Sequence, residues 1–228
     1  MRNILLLLVY FFLILLAIPL LLVCVLFGSR DAFLAYGRWM MRVGRFILGI
    51  DVEFAGLERL DRRTPYVFMS NHLSFLDGPL LMTVIDRPAR VIAKRFVFRI
   101  PVLGLGMRFC GYVPLDKRGA GAGRRSIARA VKLIKEKGYS FLIYPEGQRS
   151  WDGKMQPFRR GGFFLALDSG APIVPVSISG TFELMPRGKW FVKKGPVRIV
   201  FHEPISVAGR TAEAIPELME RVRTAVSG

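Results

Sequence analysis

Asn71-His72-Leu73-Ser74-Phe75-Leu76-Asp77 and Tyr144-Pro145-Glu146-Gly147-Gln148-Arg149-Ser150 are the strings of this chain richest in groups that move protons or hold anions. The first offers an imidazole base, His72, and a carboxylate, Asp77, able to fix which ring nitrogen carries the proton. The second offers Glu146 and Arg149 on a loop bounded by Pro145 and Gly147. A guanidinium presents planar donors that match two phosphate oxygens at once. Side by side, the strings imply proton abstraction next to an anion site, the equipment for acylating an alcohol on a phosphorylated substrate. The competing readings are structural: a capping or surface histidine, and a Glu–Arg pair that closes a turn.

Asp77 lies five positions after His72, which is about 140° around a straight helix. The two side chains meet only if His72 sits in a turn before a helix and Asp77 points back from its first turn. The flanking patterns agree with that placement. Tyr66–Met69 reads as a strand and Leu76–Ile85 as a helix, and Ser140–Tyr144 reads as the strand that delivers the second string. Further strands are expected at Arg90–Ala93, Gly111–Leu115, Ile173–Ser177 and Val197–Phe201. Helices are expected at Arg124–Lys137, which Gly138 would stop, at Gly161–Asp168, and at Ala212–Val226 with Pro216 near its first turn. This alternation predicts an α/β domain with a largely buried sheet. Pro175 inside a strand predicts a sheet edge or a bulge.

The N-terminal part has a different character. Residues 4–27 carry no charge, and as a helix they would span roughly 36 Å against roughly 30 Å of bilayer hydrocarbon. Pro19 allows a kink and hence a helix embedded in one leaflet; a cleaved signal segment is the competing reading. Arg2 is the only charge before Arg30, and Arg38, Arg42 and Arg45 follow, so the positive-inside rule places the bulk of the chain at the cytoplasmic face. Residues 32–50 predict a second helix with these arginines on one face. That face suits the headgroup region with Trp39 at the interface, or alternatively a helix of the core. Residues 1–50 are thus expected to anchor the chain to a membrane, and residues 51–228 to form the α/β domain.

The chain's 34 basic and 17 acidic residues give a net charge of +17, which fits an anionic membrane surface, nucleic acid or a polyanionic substrate. The apolar anchor favours the membrane surface. Cys24 and Cys110 provide no disulfide framework. A structural zinc site needs about four Cys or His ligands, so no metal is expected. Ser74 lacks the Gly-x-Ser-x-Gly elbow of a nucleophile, Cys110 reads as a packing residue, and His202 as a surface or strand-end histidine.

These residues are also where the chain resembles a family, the glycerolipid acyltransferases of the 1-acyl-sn-glycerol-3-phosphate acyltransferase type. The family's Asn-His-x-x-x-x-Asp block is matched by Asn71, His72 and Asp77. Its Gly-x-x-x-Ile-Asp-Arg block is approximated by Gly111 to Lys117, with Arg118 next. Phe-Pro-Glu-Gly-Thr-Arg-Ser is matched by Tyr144 to Ser150, and Val-Pro-Val by Val174-Pro175-Val176. Order and spacing agree from about Val52 to Pro204. The resemblance implies the family's helix-flanked sheet behind a two-helix anchor. It also implies transfer of a fatty acyl group from an acyl thioester, on coenzyme A or acyl carrier protein, to the free hydroxyl of 1-acyl-sn-glycerol-3-phosphate. The product would be phosphatidic acid for phospholipid synthesis. His72 and Asp77 would be catalytic, while Arg149, Glu146, Gly147, Lys117 and Arg118 would form the phosphate site. Asn71, Lys94 and Arg160 are further candidates, and no bound cofactor is implied. Lys117 and Gln148 depart from the family's Arg and Thr. They keep another lysolipid acceptor open, such as a lyso-ornithine lipid. A non-catalytic basic protein binding membranes or nucleic acid is the reading from a different class, although no nucleic-acid partner is expected.

Overall fold

Strands form where β-branched and aromatic runs occur: β1 (Ile50–Ala55), β2 (Val67–Ser70), β3 (Ala89–Lys94), β4 (Val113–Leu115), β5 (Ser140–Ile143), β6 (Ile173–Ser179) and β7 (Gly195–Phe201). In this computed structural model, which describes residues 1–115 and 121–227, they make one seven-stranded sheet ordered β1-β7-β6-β2-β5-β3-β4. Neighbours run parallel except β6 and β7. The helices are α1 (Arg2–Leu26), α2 (Arg30–Leu48), α3 (Asp77–Val84), α4 (Leu103–Phe109), α5 (Ala122–Lys137), α6 (Gly161–Ser169), α7 (Thr181–Leu184) and α8 (Ile215–Ser227).

The central strands are buried along their whole length because helices cover both faces. Side chains alternate across the sheet. Phe68, Leu142 and Val174 join one core with α2 and α3, while Val67, Met69, Phe141 and Ile143 join another with α5, α6 and α8. Phe68, Phe141, Phe163 and Phe201 are each 0% exposed, and burying one such ring contributes about 1.5–3 kcal/mol. β2 and β5 are parallel neighbours, with Met69 opposite Ile143, so the loops after them leave the same sheet edge side by side. In open α/β sheets that carboxyl edge is where ligands bind.

Pro175 lies in the interior strand β6, so the edge expectation fails and the bulge alternative describes the site better. Val176 faces Phe201, yet Ile173 bridges Ile205, so the pairing slips by one residue beside Pro175. The Pro175 carbonyl still accepts from the His202 backbone N–H at 2.9 Å. The missing proline donor therefore falls where the ladder is already irregular.

α1 is a single apolar helix, long enough to cross a membrane, with Pro19 inside it. It packs along α2, where Tyr36 Oη donates to the Leu13 carbonyl at 2.7 Å and Tyr10 Oη to the Met40 carbonyl at 3.0 Å. Only Leu13, Ala17, Leu21 and Cys24 of α1 are buried. The expected arginine face of α2 exists, with Arg38 and Arg45 half-buried and Arg42 exposed. Arg38 donates to the carbonyls of Ile85 and Arg87, Arg42 to Thr83, and Arg45 to Ile50. The last carbonyls of α3 lack partners within their own helix, and Arg42 and Arg38 supply donors to those of Thr83 and Ile85. Burial, then the neighbouring Arg42 charge, pulls the Arg38 pKa down. The guanidiniums of this face thus engage backbone carbonyls of the domain. Trp39 and Phe46 remain exposed.

Candidate active site

α3 begins at Asp77 itself, so residues 71–76 form the turn in which His72 must sit to meet it. The two do meet: His72 Nδ1 lies 2.8 Å from Asp77 Oδ2. The same oxygen accepts the backbone N–H groups of Leu73 and Ser74, both at 2.8 Å. Asp77 Oδ1 accepts the Thr181 hydroxyl at 2.6 Å. A carboxylate that is 0% exposed is tolerable only with such a set of donors. Holding the Nδ1 proton on the carboxylate leaves Nε2 as the basic nitrogen.

The His72 ring stacks on Tyr144, with centroids 3.9 Å apart and planes 14° from parallel. Tyr144 Oη is the one buried side-chain polar atom without a hydrogen-bond partner among the described residues. Burial, then the Asp77 charge, pushes its phenol pKa well above the usual value.

Four further contacts fix the histidine turn. The Asn71 side chain behaves like a strand residue, donating to the Ile178 carbonyl at 2.8 Å and accepting its N–H at 2.9 Å. Ser74 Oγ donates to the Met185 carbonyl at 2.7 Å. The Ser150 N–H donates to the His72 carbonyl at 2.8 Å, joining the two loops directly. Glu146 accepts the His72 N–H on one oxygen and the Gln156 N–H on the other, both at 2.7 Å.

Glu146 therefore corrects an expectation. It is 1% exposed, and both its oxygens are occupied by backbone donors, so it braces the turn and does not hold a phosphate. Burial raises its pKa, and the two backbone bonds oppose the rise. Asn71 likewise is a clamp on β6. Ser74 and Cys110 are not nucleophiles: the Ser74 hydroxyl is engaged, and burial pushes the Cys110 thiol up to about 12.

His72 opens into a cleft of about 740 Å³. Lys94, Gly147, Gln148, Arg149 and Arg159 supply its polar lining, and Phe75, Val91, Phe96, Leu115, Ile127 and Ile143 much of its apolar wall. Gly147 adopts φ +71°, and a Cβ there would lie 3.0 Å from the Arg159 side chain. Glycine thus lets the loop turn tightly against that arginine. The Arg149 guanidinium carbon lies 5.9 Å from the Phe75 ring centroid. Arg160 is the second correction. It lines a separate recess with Phe158, Met219 and Arg223, while its neighbour Arg159 faces the cleft. Lys117 and Arg118 lie outside the described residues. Thr181 was missed, because a threonine after Ser179-Gly180 carries no sequence signal of its distant carboxylate. Among the described residues no group of His, Cys, Asp and Glu could hold a metal ion.

A family profile described as Acyltransferase matches residues 51–179, more than half of the chain, and spans both the histidine turn and the Glu146 loop. The 1-acyl-sn-glycerol-3-phosphate acyltransferase alpha of Homo sapiens is 30% identical over 212 residues, covering 93% of this chain and 74% of that protein. The chloroplastic 1-acyl-sn-glycerol-3-phosphate acyltransferase BAT2 of Brassica napus is 39% identical over 155 residues. That alignment covers 67% of this chain but only 44% of the plant protein, so the chain matches less than half of that relative's length. Among solved structures, the 1-acyl-sn-glycerophosphate (LPA) acyltransferase from Thermotoga maritima superposes with a TM-score of 0.81 at 28% identity. It covers 99% of this chain and 95% of its own. The chain belongs to the acyltransferase family, in its 1-acyl-sn-glycerol-3-phosphate acyltransferase branch.

Proposed function

We propose that this chain transfers a fatty acyl group from an acyl thioester to the free hydroxyl of 1-acyl-sn-glycerol-3-phosphate, forming phosphatidic acid. The observation that carries the reading is the His72–Asp77 pair, its carboxylate buried and its imidazole open to a cleft with cations on one part and an apolar wall on another. His72 Nε2 removes the acceptor's hydroxyl proton as that oxygen attacks the thioester carbon. The C–O bond forms, the C–S bond breaks, and the departing thiolate takes the proton back from the imidazolium. Asp77 stabilises that cation and fixes the ring. Arg149, Arg159 and Lys94 hold the acceptor's phosphate, and the apolar wall receives fatty chain. Coenzyme A and acyl carrier protein are both admissible carriers. Gln148 lines the cleft where the family pattern Phe-Pro-Glu-Gly-Thr-Arg-Ser has threonine, which favours testing another lysolipid acceptor as the second reading.

The lipid substrates suit an anchor. Both ends of α1 are held by the same domain: Asn3 bonds reciprocally to Val192, and the turn after α1 leads to Asp31, which pairs with the buried Arg90 at 2.9 Å. That geometry supports a helix lying in one leaflet over one spanning both, and the basic residues that follow α1 favour the cytoplasmic face for the domain.

Purified protein in lipid vesicles, given labelled acyl-coenzyme A or acyl carrier protein, tests the reading. The acceptors are lysophosphatidic acid, glycerol-3-phosphate, lysophosphatidylcholine and lyso-ornithine lipid. Wild type should form phosphatidic acid, and His72→Ala should lose about 10²–10⁴-fold in rate while staying folded. Wild-type turnover by His72→Ala would refute the mechanism. Product from another acceptor alone would replace the substrate and keep the chemistry.

A further inference from the structure

From Leu184 to His202 the chain has no acidic residue, while Arg187, Lys189, Lys193 and Lys194 are basic. Within this stretch Trp190 is 87% exposed and Phe191 74% exposed. The stretch is not loose. The Lys189 N–H donates to the Pro186 carbonyl at 3.1 Å and the Lys193 N–H to the Leu184 carbonyl at 2.9 Å. Val192 is tied on both sides of its backbone to the Asn3 side chain, at 3.0 and 3.2 Å. These bonds fix the backbone on each side of the aromatic pair, which remains in the open although water is a poor solvent for it.

What the pair faces follows from its neighbours. Asn3 lies in the first turn of α1, whose next residues, Ile4 and Leu5, are 61% and 51% exposed. A Cβ on Gly49, at the end of α2, would lie 2.9 Å from Arg2 and 3.6 Å from Lys194, so both helix ends and this loop converge. Phe46, one turn earlier on α2, is 86% exposed. An apolar helix surface thus continues into exposed aromatics ringed by cations. Tryptophan settles at the headgroup level of a bilayer, and each nearby Lys or Arg strengthens attraction to an anionic leaflet by about fivefold. We infer that residues 186–194 form a second membrane-insertion point, separate from α1, whose partner is an anionic phospholipid surface. The inference rests on the membrane-surface reading above and adds a site to it. The loop also touches the chemistry: Arg187 donates to the Arg149 carbonyl at 2.8 Å and lies 3.7 Å over the Trp151 ring. Seating the loop in lipid therefore steadies the arginine assigned to the acceptor phosphate.

Full-length protein in phosphatidylcholine–phosphatidylglycerol vesicles carrying brominated acyl chains tests this by tryptophan quenching. Trp39→Phe with Trp151→Phe leaves Trp190 as reporter, and Trp151→Phe with Trp190→Phe leaves Trp39 on the anchor. Both reporters should be quenched, with Trp190 more so as the phosphatidylglycerol fraction rises, and less so in Lys189→Gln/Lys193→Gln/Lys194→Gln. Quenching of Trp39 without Trp190 overturns the loop's role and leaves the membrane reading intact; quenching of neither overturns both. As a second arm, Trp190→Ala/Phe191→Ala should lower turnover in vesicles by roughly tenfold or more while keeping wild-type rate in detergent micelles. Equal loss in both media, or selective binding of a soluble protein by a Trp190 that stays unquenched, counts against a lipid partner.

Discussion

Replacing Tyr144 by phenylalanine should make the protein more stable and leave its chemistry alone. The Tyr144 hydroxyl is buried and has no hydrogen-bond partner among the described residues, and such an orphan costs about 1–3 kcal/mol. Phenylalanine removes the orphan and keeps the ring that stacks 3.9 Å from His72. The gain is reduced by the small void left behind, so about 1 kcal/mol is expected, or roughly 2–4 °C in the unfolding midpoint for a chain of this size. Acyl-transfer rate should stay within about twofold. Tyr144→Leu removes the ring as well. Stacking on a cation is worth about 0.5–2 kcal/mol, and the imidazolium formed during proton transfer is such a cation. The leucine variant should therefore lose roughly 2–30-fold in kcat. Thermal unfolding in detergent, beside transfer rates for all three proteins, provides the test. A destabilised Tyr144→Phe, or one that loses more than about tenfold in rate, would refute the reasoning by showing that the hydroxyl has an essential partner.

Two other outcomes follow from buried contacts. Thr181→Val keeps shape but removes the donor to Asp77 Oδ1, so stability should fall by about 1.5–3 kcal/mol in denaturant titration and kcat should drop with it, whereas Thr181→Ser should restore both. His202 sits 2.6 Å from Ser177 Oγ, and burial, then the Arg59 charge, lowers its pKa below the ordinary 6.5. The unfolded chain then binds more protons than the native one below about pH 6.5, so stability should fall as pH drops through that region. His202→Gln should flatten this dependence in unfolding midpoints measured between neutral and mildly acidic pH; an unchanged slope would remove His202 as its source.

Local pattern carried most of the sheet. The strands at residues 67–70, 89–94, 113–115, 140–143, 173–179 and 195–201 fall on the expected apolar runs, because buried parallel strands must be apolar almost throughout. β1 was missed, since Asp51 and Glu53 interrupt a strand whose outer face is exposed. α4 was missed for a tertiary reason: Gly104 and Gly106 weaken helix propensity but give room to the Phe98 carbonyl and the Phe33 ring. The His72–Asp77 meeting was legible because spacing and helix start together constrain it. The bracing role of Glu146 was not, because a carboxylate's partners depend on burial, which the string Pro-Glu-Gly does not encode. The α2 arginines show the same gap: their spacing revealed a shared face and was silent on which way it turns.

The clasp between Asn3 and Val192 joins groups 189 positions apart. A ribosome adding about 5–20 residues per second needs roughly 10–40 s to cover that distance. During this interval the first helix exists without the partner that will seat its leading end. Until then the few side chains of α1 that the finished domain buries have no domain to pack against at that end. Docking of the leading end of α1 is then a late event of biosynthesis, completed only after every strand except β7 has been made.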